Sequence, residues 1–109
     1  MSAPHTHPCK LVVIITEAAL EDSLGKDVMK LGAHGYTIAD VRGQGRHGAR
    51  NALWGADRSI RMEVLCDAET ASAILVHVEK HYFRNFAMVS FVADVGVLRP
   101  EKFSHHPTG

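Results

Sequence analysis

The stretch RGQGRHGAR, residues 42–50, sets three glycines among three arginines and a histidine. Gly43 and Gly45 have no side chains, so a ligand can approach the main chain and successive N–H groups can turn toward one anion. Arg46 adds a guanidinium, whose planar fork matches a phosphate or a carboxylate through paired hydrogen bonds. The chemistry available is anion capture. Glycine mixed with charge is equally the composition of an exposed connection whose arginines stay solvated, and local composition does not separate the two readings.

Other candidates are weaker. Gly43-Gln44-Gly45-Arg46-His47-Gly48 matches G-x-G-x-x-G, and Asp67 stands about where a ribose-binding acid would be. A dinucleotide fold, however, needs a strand buried on both faces before the loop, and Asp40 and Arg42 break that apolar run. It also needs a strong helix after the loop, and ARNALWGADR has little periodicity. His77 and His81 are spaced to share a helix face, a zinc-compatible arrangement, but HVEKH is not HExxH and no third ligand adjoins it, so no metal is assigned. Asp40, Glu63 and His47 are the available proton handlers, yet each is equally explained by a strand edge or a ligand hydrogen bond, and nothing activates a serine. No catalytic residue is assigned. Trp54, Phe83 and Phe86 read as packing or interface residues.

Composition narrows the partners. Twelve Lys and Arg balance twelve Asp and Glu in 109 residues, so bulk charge draws no polyanion and any anion site must be a local cluster. The length fits one domain and is short for both halves of a dinucleotide-binding fold. Cys9 and Cys66 lack CxxC spacing, which suits two buried thiols in a reducing compartment. The opening MSAPHTHPCK has no charged region followed by a long apolar run, and LVVII is too short to cross a bilayer, so a cytoplasmic location is expected.

The elements that would carry the glycine-rich loop follow from periodicity. KLVVIIT, residues 10–16, is a β-branched run and reads as a strand. Leu20, Leu24, Val28 and Leu31 lie near helical spacing in residues 19–35, with Gly32 and Gly35 as C-terminal punctuation. Gly25 weakens that helix by up to ~1 kcal/mol relative to alanine. YTIADVR, residues 36–42, alternates as a strand with one solvated face, and SIRMEVLCD, residues 59–67, resumes alternation through Ile60, Met62, Val64 and Cys66. Asp67 can cap a second helix whose Ala71, Ile74, Leu75, Val78 and Tyr82 share one face. AMVSFVADVGVL, residues 87–98, is the last strand, and residues 1–9 and 101–109 are expected to be flexible termini.

The order β-α-β-β-α-β predicts an α+β, ferredoxin-like sandwich, an antiparallel sheet with two helices on one face, as a single domain over residues 1–109. RNA-recognition domains share this order. Their signature fails here, because LVVIIT and SIRMEVL contain no aromatic on which a base could stack, and no nucleic-acid partner is assigned.

GYTIADVRGQGRHG resembles the pattern of the PII signal-transduction family, in which G-x-T leads through a strand into a G-x-G-R turn and a long T-loop. KLVVIIT, LED, IRMEVLCDAE and FVADVGVL resemble the rest of that pattern, over roughly residues 10–100. The resemblance implies a homotrimer with adenine nucleotides in the clefts between subunits, and sensing in place of catalysis. By position, it implies that Gly43, Gly45 and Arg46 face the ligand phosphates at the base of a short T-loop, residues 43–58. Gly35, Tyr36 and Thr37 would approach the nucleotide across the interface, and Glu63 and Leu65 would line the base or ribose region.

Two departures point to a branch. The family's T-G-x-x-G-D-G-K phosphate cradle has no counterpart in HYFRNFAMVSF, so triphosphate and magnesium binding are not expected. HGARNALWGADR lacks the tyrosine that is uridylylated in some nitrogen regulators. YFRNFA and DVGVLRPEKF instead resemble the PII-like proteins associated with bicarbonate transporters and carboxysomes. That branch implies an ADP or AMP sensor, with cyclic AMP and bicarbonate as further ligands and a transporter or carboxysome-linked protein as partner. Arg46 would hold phosphate or bicarbonate in a loop shaped by Gly43, Gln44 and Gly45, and Arg99, Lys102 and Phe103 would close the pocket. No cofactor is expected. A small nucleotide-processing enzyme and a ligand-free structural oligomer are the alternative readings.

Overall fold

The computed structural model describes residues 3–43 and 58–99. Four strands, β1 (His7–Glu17), β2 (Thr37–Val41), β3 (Ser59–Cys66) and β4 (Met88–Val97), form one sheet in the order β2-β3-β1-β4. Every adjacent pair is antiparallel. Two helices, α1 (Glu21–Lys30) and α2 (Ala68–His81), complete the β-α-β-β-α-β order. The architecture is the ferredoxin-like α+β fold that the order predicts.

Alternation along the strands decides what is buried. The register sets Val12 opposite Val64, and Ile14 opposite Met62. These four are fully buried, in one cluster with Leu24 and Val28 of α1 and Ala71, Ile74 and Val78 of α2. Both helices therefore cover the same face of the sheet. Spacings of three and four residues keep each helix's apolar side turned inward. Asp67 caps α2, its carboxylate accepting from the Thr70 N–H at 2.9 Å. Helix α1 has no such cap and is instead entered through a 3-10 turn, Ala18–Leu20.

The opposite face carries no helix. Leu11, Val13 and Ile15 of β1 face it, beside Leu65 of β3 and Val89, Phe91 and Ala93 of β4. Val89 is 39% exposed and Phe91 42%, so an apolar sheet surface is left in contact with solvent in the single chain.

Boundaries differ from expectation at three places. Strand β1 starts at His7, within the 1–9 segment expected to be a flexible terminus, because β4 continues alongside it as far as the His7–Val97 pair. Pro8 is tolerated there because the β3 ladder reaches only to Lys10, which leaves that side of β1 unpaired. The α-helical part of the first helix is shorter than residues 19–35, ending at Lys30, with Gly32 at φ 119° turning the chain toward β2. Strand β2 is Thr37–Val41, without Tyr36 and Arg42.

Candidate functional site

The residues expected to bind a ligand fall into separate groups on the sheet. Thr37 opens β2 and lies directly opposite Glu63 on β3, whose other neighbour is Val13. Leu65 follows on the same side, opposite Leu11. Thr37, Glu63 and Leu65 thus share the face that the helices leave uncovered. Gly35 stands before them, and a Cβ added to it would meet nothing within 4 Å. Tyr36 departs from this group, because the alternation of the chain turns its ring to the helix side, against Gly25 of α1.

Gly43 follows β2 at the opposite end of that strand from Thr37. Two strand pairings, Val41 with Ser59 and Ser59 with Glu17, put this end of the sheet beside the end of β1. Arg99 follows β4, whose last residue pairs with His7 at the start of β1. Since β1 runs its full 11 residues between these two ends, the sheet ends that Gly43 and Arg99 adjoin are about 33 Å apart along the strand direction, at a rise of ~3.3 Å per residue. One chain does not bring them together. Gln44, Gly45, Arg46, Lys102 and Phe103 lie outside the described residues, as does the T-loop between Gly43 and Arg58.

Charged pairs flank these groups. Arg58, just before β3, donates to the Asp40 carboxylate of β2 at 2.9 Å. This pair clasps the two strands where the glycine-rich segment leaves and returns. Its hydrogen bond to Asp40 and that carboxylate's charge raise the Arg58 pKa above the usual arginine value. Glu63 accepts from the Arg61 Nε at 2.9 Å, and the Arg61 guanidinium lies 5.9 Å from the centre of the Phe91 ring. A ligand that recruits Glu63 must therefore compete with Arg61. Sequence reading overlooked both arginines, although the two-residue spacing of Arg61 and Glu63 in a strand is itself a sign of a shared face.

Elsewhere the polar groups serve the scaffold. His77 of α2 meets Asp27 of α1 at 2.8 Å, and the Tyr82 hydroxyl donates to the same carboxylate oxygen at 2.6 Å. The His77 and His81 rings are 4.5 Å apart, yet among the described residues no group of three His, Cys, Asp or Glu could hold a metal ion. Burial alone would raise the Asp27 carboxyl; hydrogen bonds from Tyr82 and His77, with the charges of His77 and Lys30, outweigh it and leave the pKa below the ordinary 3.8. A depressed carboxyl contributes stability that is complete above the unfolded value and lost as pH falls through the folded one. Asp27→Asn is expected to lower stability at pH 7 by about 1–2 kcal/mol and to flatten the loss of stability below about pH 4. Urea denaturation at stepped pH checks this, and an acid limb as steep as that of the unsubstituted protein would contradict it.

The thiols are poor nucleophiles. Burial, with smaller contributions from Cys9 and Asp67, pushes Cys66 up to about 11, and burial also raises Cys9 despite its hydrogen bonds to backbone carbonyls. The turn between α2 and β4 uses its own amides: Asn85 and Phe86 donate to the Tyr82 carbonyl at 3.1 and 3.0 Å, and Phe83 to the Val78 carbonyl at 3.1 Å. Those N–H groups are not presented to a phosphate. No helix of the described residues is long and apolar enough to cross a membrane.

Comparison with known proteins finds relatives by family profile and by fold. No match was found among curated proteins. A PII-like signaling protein from Thermus thermophilus is 40% identical, with a TM-score of 0.76 over 90% of this chain and 97% of that one. CPII from Thiomonas intermedia K12, in a structure bound to ADP, AMP and acetate, is 26% identical, with a TM-score of 0.81 over 93% of this chain and 99% of that one. A second CPII structure, bound to ADP and bicarbonate, is 28% identical with a TM-score of 0.79, over 93% of this chain and 99% of that one. The family profile described as Nitrogen regulatory protein P-II matches residues 9–102, which takes in all four strands but the first two residues of β1, both helices and the glycine-rich segment. The G-x-T and G-x-G-R sequence patterns and the ferredoxin-like sheet thus occur together in one chain, which belongs to the P-II family of regulatory proteins.

Proposed function

We propose that this protein is a non-enzymatic sensor that binds ADP or AMP in clefts between the subunits of a homotrimer, with bicarbonate as a second ligand. The observation that carries the reading is the division of the candidate residues between opposite ends of one sheet. Gly43 follows β2 at one end, and Arg99 follows β4 at the other. A cleft drawing on both needs two chains, and the uncovered apolar face with Leu11, Leu65, Val89 and Phe91 supplies a surface for association. CPII structures holding ADP, AMP and bicarbonate support the choice of ligands. The inward use of amides in the 82–86 turn supports a diphosphate or monophosphate over a triphosphate.

In this reading Gly43, Gln44, Gly45 and Arg46 take the anionic end of the ligand, and Gly35, Thr37, Glu63 and Leu65 adjoin its base and ribose. Tyr36 contributes main chain, and Arg99, Lys102 and Phe103 of a neighbouring subunit close the cleft. Ligand binding orders the loop from 43 to 58 and changes the surface offered to a partner in inorganic carbon uptake, either a bicarbonate transporter or a carboxysome-linked protein. Only a ligand with unequal affinity for the two loop states can do this. Calorimetry with AMP, ADP, ATP and cyclic AMP, each with and without bicarbonate, tests the proposal. Mutual tightening of ADP and bicarbonate is the expected result, since binding linkage is reciprocal. Failure of every nucleotide to bind would reject it, and conversion of any nucleotide to product would favour the enzyme alternative.

A further inference from the structure

Gly25 lies inside α1, where glycine lowers helix stability relative to alanine. Its surroundings explain its presence. A Cβ built on Gly25 would stand 2.3 Å from the Tyr36 hydroxyl oxygen and 2.7 Å from its Cζ, closer than any side chain tolerates. The hydroxyl end of Tyr36 therefore rests on bare helix backbone. Gly25 is buried, whereas Tyr36 is 42% exposed, so the tyrosine closes over the glycine with part of its surface in solvent.

The contact reaches from the middle of α1 to the residue that precedes β2. Successive side chains of an extended chain point to opposite faces, and a slip of one residue would send each to the wrong side. With Tyr36 held on the helix side, Thr37 is directed to the uncovered face, where it meets Glu63. The rest of β2 follows in step, through Asp40 opposite Ile60 to the last pair, Val41 with Ser59, after which the chain reaches Gly43. The tyrosine seated on the glycine thus adds a side-chain contact just before the strand that the nucleotide reading uses, beside the β3 pairing and the packing of Ile38 on the core.

We propose that Gly25 is a positioning residue of the nucleotide site, acting through Tyr36 to hold β2 in register. The inference rests on the nucleotide reading above for its binding consequence, but its structural content stands apart from it. Adding a methyl at Gly25 displaces the far end of a partly exposed side chain, so the fold survives and the start of β2 loosens.

The experiment is a double-mutant cycle on the full-length protein with ADP as the probe: unsubstituted, Gly25→Ala, Tyr36→Ala and both together. Gly25→Ala is expected to weaken ADP binding by about 3- to 10-fold, and to have no further effect once Tyr36 is alanine. Hydrogen exchange is read in parallel. The amides of residues 37–41 are expected to exchange faster in Gly25→Ala, while those of the β1–β3 ladder keep their protection. Unchanged exchange in β2, or the same loss of affinity in both tyrosine backgrounds, would overturn the inference. If the unsubstituted protein binds no nucleotide, the functional reading fails and the exchange comparison still decides the role of Gly25. If Gly25→Ala does not fold, Tyr36→Ala alone decides: it should speed β2 exchange, and unaltered protection there would overturn the proposal.

Discussion

Arg46→Ala is expected to weaken ADP binding by roughly 10- to 100-fold, as losing a hydrogen bond to a charged group removes about 1.5–3 kcal/mol. The argument begins with electroneutrality. Twelve basic residues against twelve acidic ones leave no bulk attraction for an anion, so affinity must come from groups placed at the ligand. In the proposed site, main-chain amides near Gly43 and Gly45 would supply direction, and the Arg46 guanidinium would supply charge with the matching fork. Arg46→Lys is expected to recover only part of the loss, because an ammonium keeps the charge without the paired geometry. Calorimetry reads both variants, and sedimentation must show their assembly unchanged. If Arg46→Ala binds ADP and bicarbonate as tightly as the unsubstituted protein, the arginine is a solvated loop residue and the anion site lies elsewhere.

Leu11→Asp is expected to abolish the trimer. Leu11 lies on the uncovered sheet face, paired with Leu65 on one side and Ala93 on the other. Neither neighbour carries a charge. The position is only partly buried in the single chain, so an aspartate there can still reach water when the chain is alone. Closing three such faces together would bury three carboxylates without partners, at several kcal/mol each. Sedimentation equilibrium should therefore report the mass of one chain for Leu11→Asp and of three for the unsubstituted protein. Nucleotide affinity should fall with the assembly, since Gly43 and Arg99 of one chain stand at opposite ends of the sheet. An intact trimer in Leu11→Asp, or a monomeric unsubstituted protein, would contradict the proposed assembly.

The two expectations draw on different kinds of information. The first is legible in residue types: glycine without a side chain beside arginine with a fork is a local pattern. The second requires the register. Sequence alternation marks Leu65 and Phe91 as strand residues, but only the pairing of β3 and β4 with β1 shows that they share a face with Leu11. Tyr36 illustrates the limit most clearly. Position groups it with Gly35 and Thr37 as a residue that approaches the ligand, yet its ring is turned to α1 because a strand alternates and Gly25 leaves room for it. His77 is a second case. Its spacing from His81 is the visible signal, whereas its partner Asp27 lies 50 residues away in sequence.

From its sequence alone, this protein's element order, its cap at Asp67 and its family pattern were determined, because each depends on neighbours within a few residues or on a linear motif. Tertiary structure decided which candidate residues share a face, which stand at opposite ends of the sheet, and that an apolar surface is left uncovered. The reason is physical. Hydrophobic periodicity records that a side of an element is buried, but register and crossing strands, set by contacts between residues far apart in the chain, decide what that side is buried against.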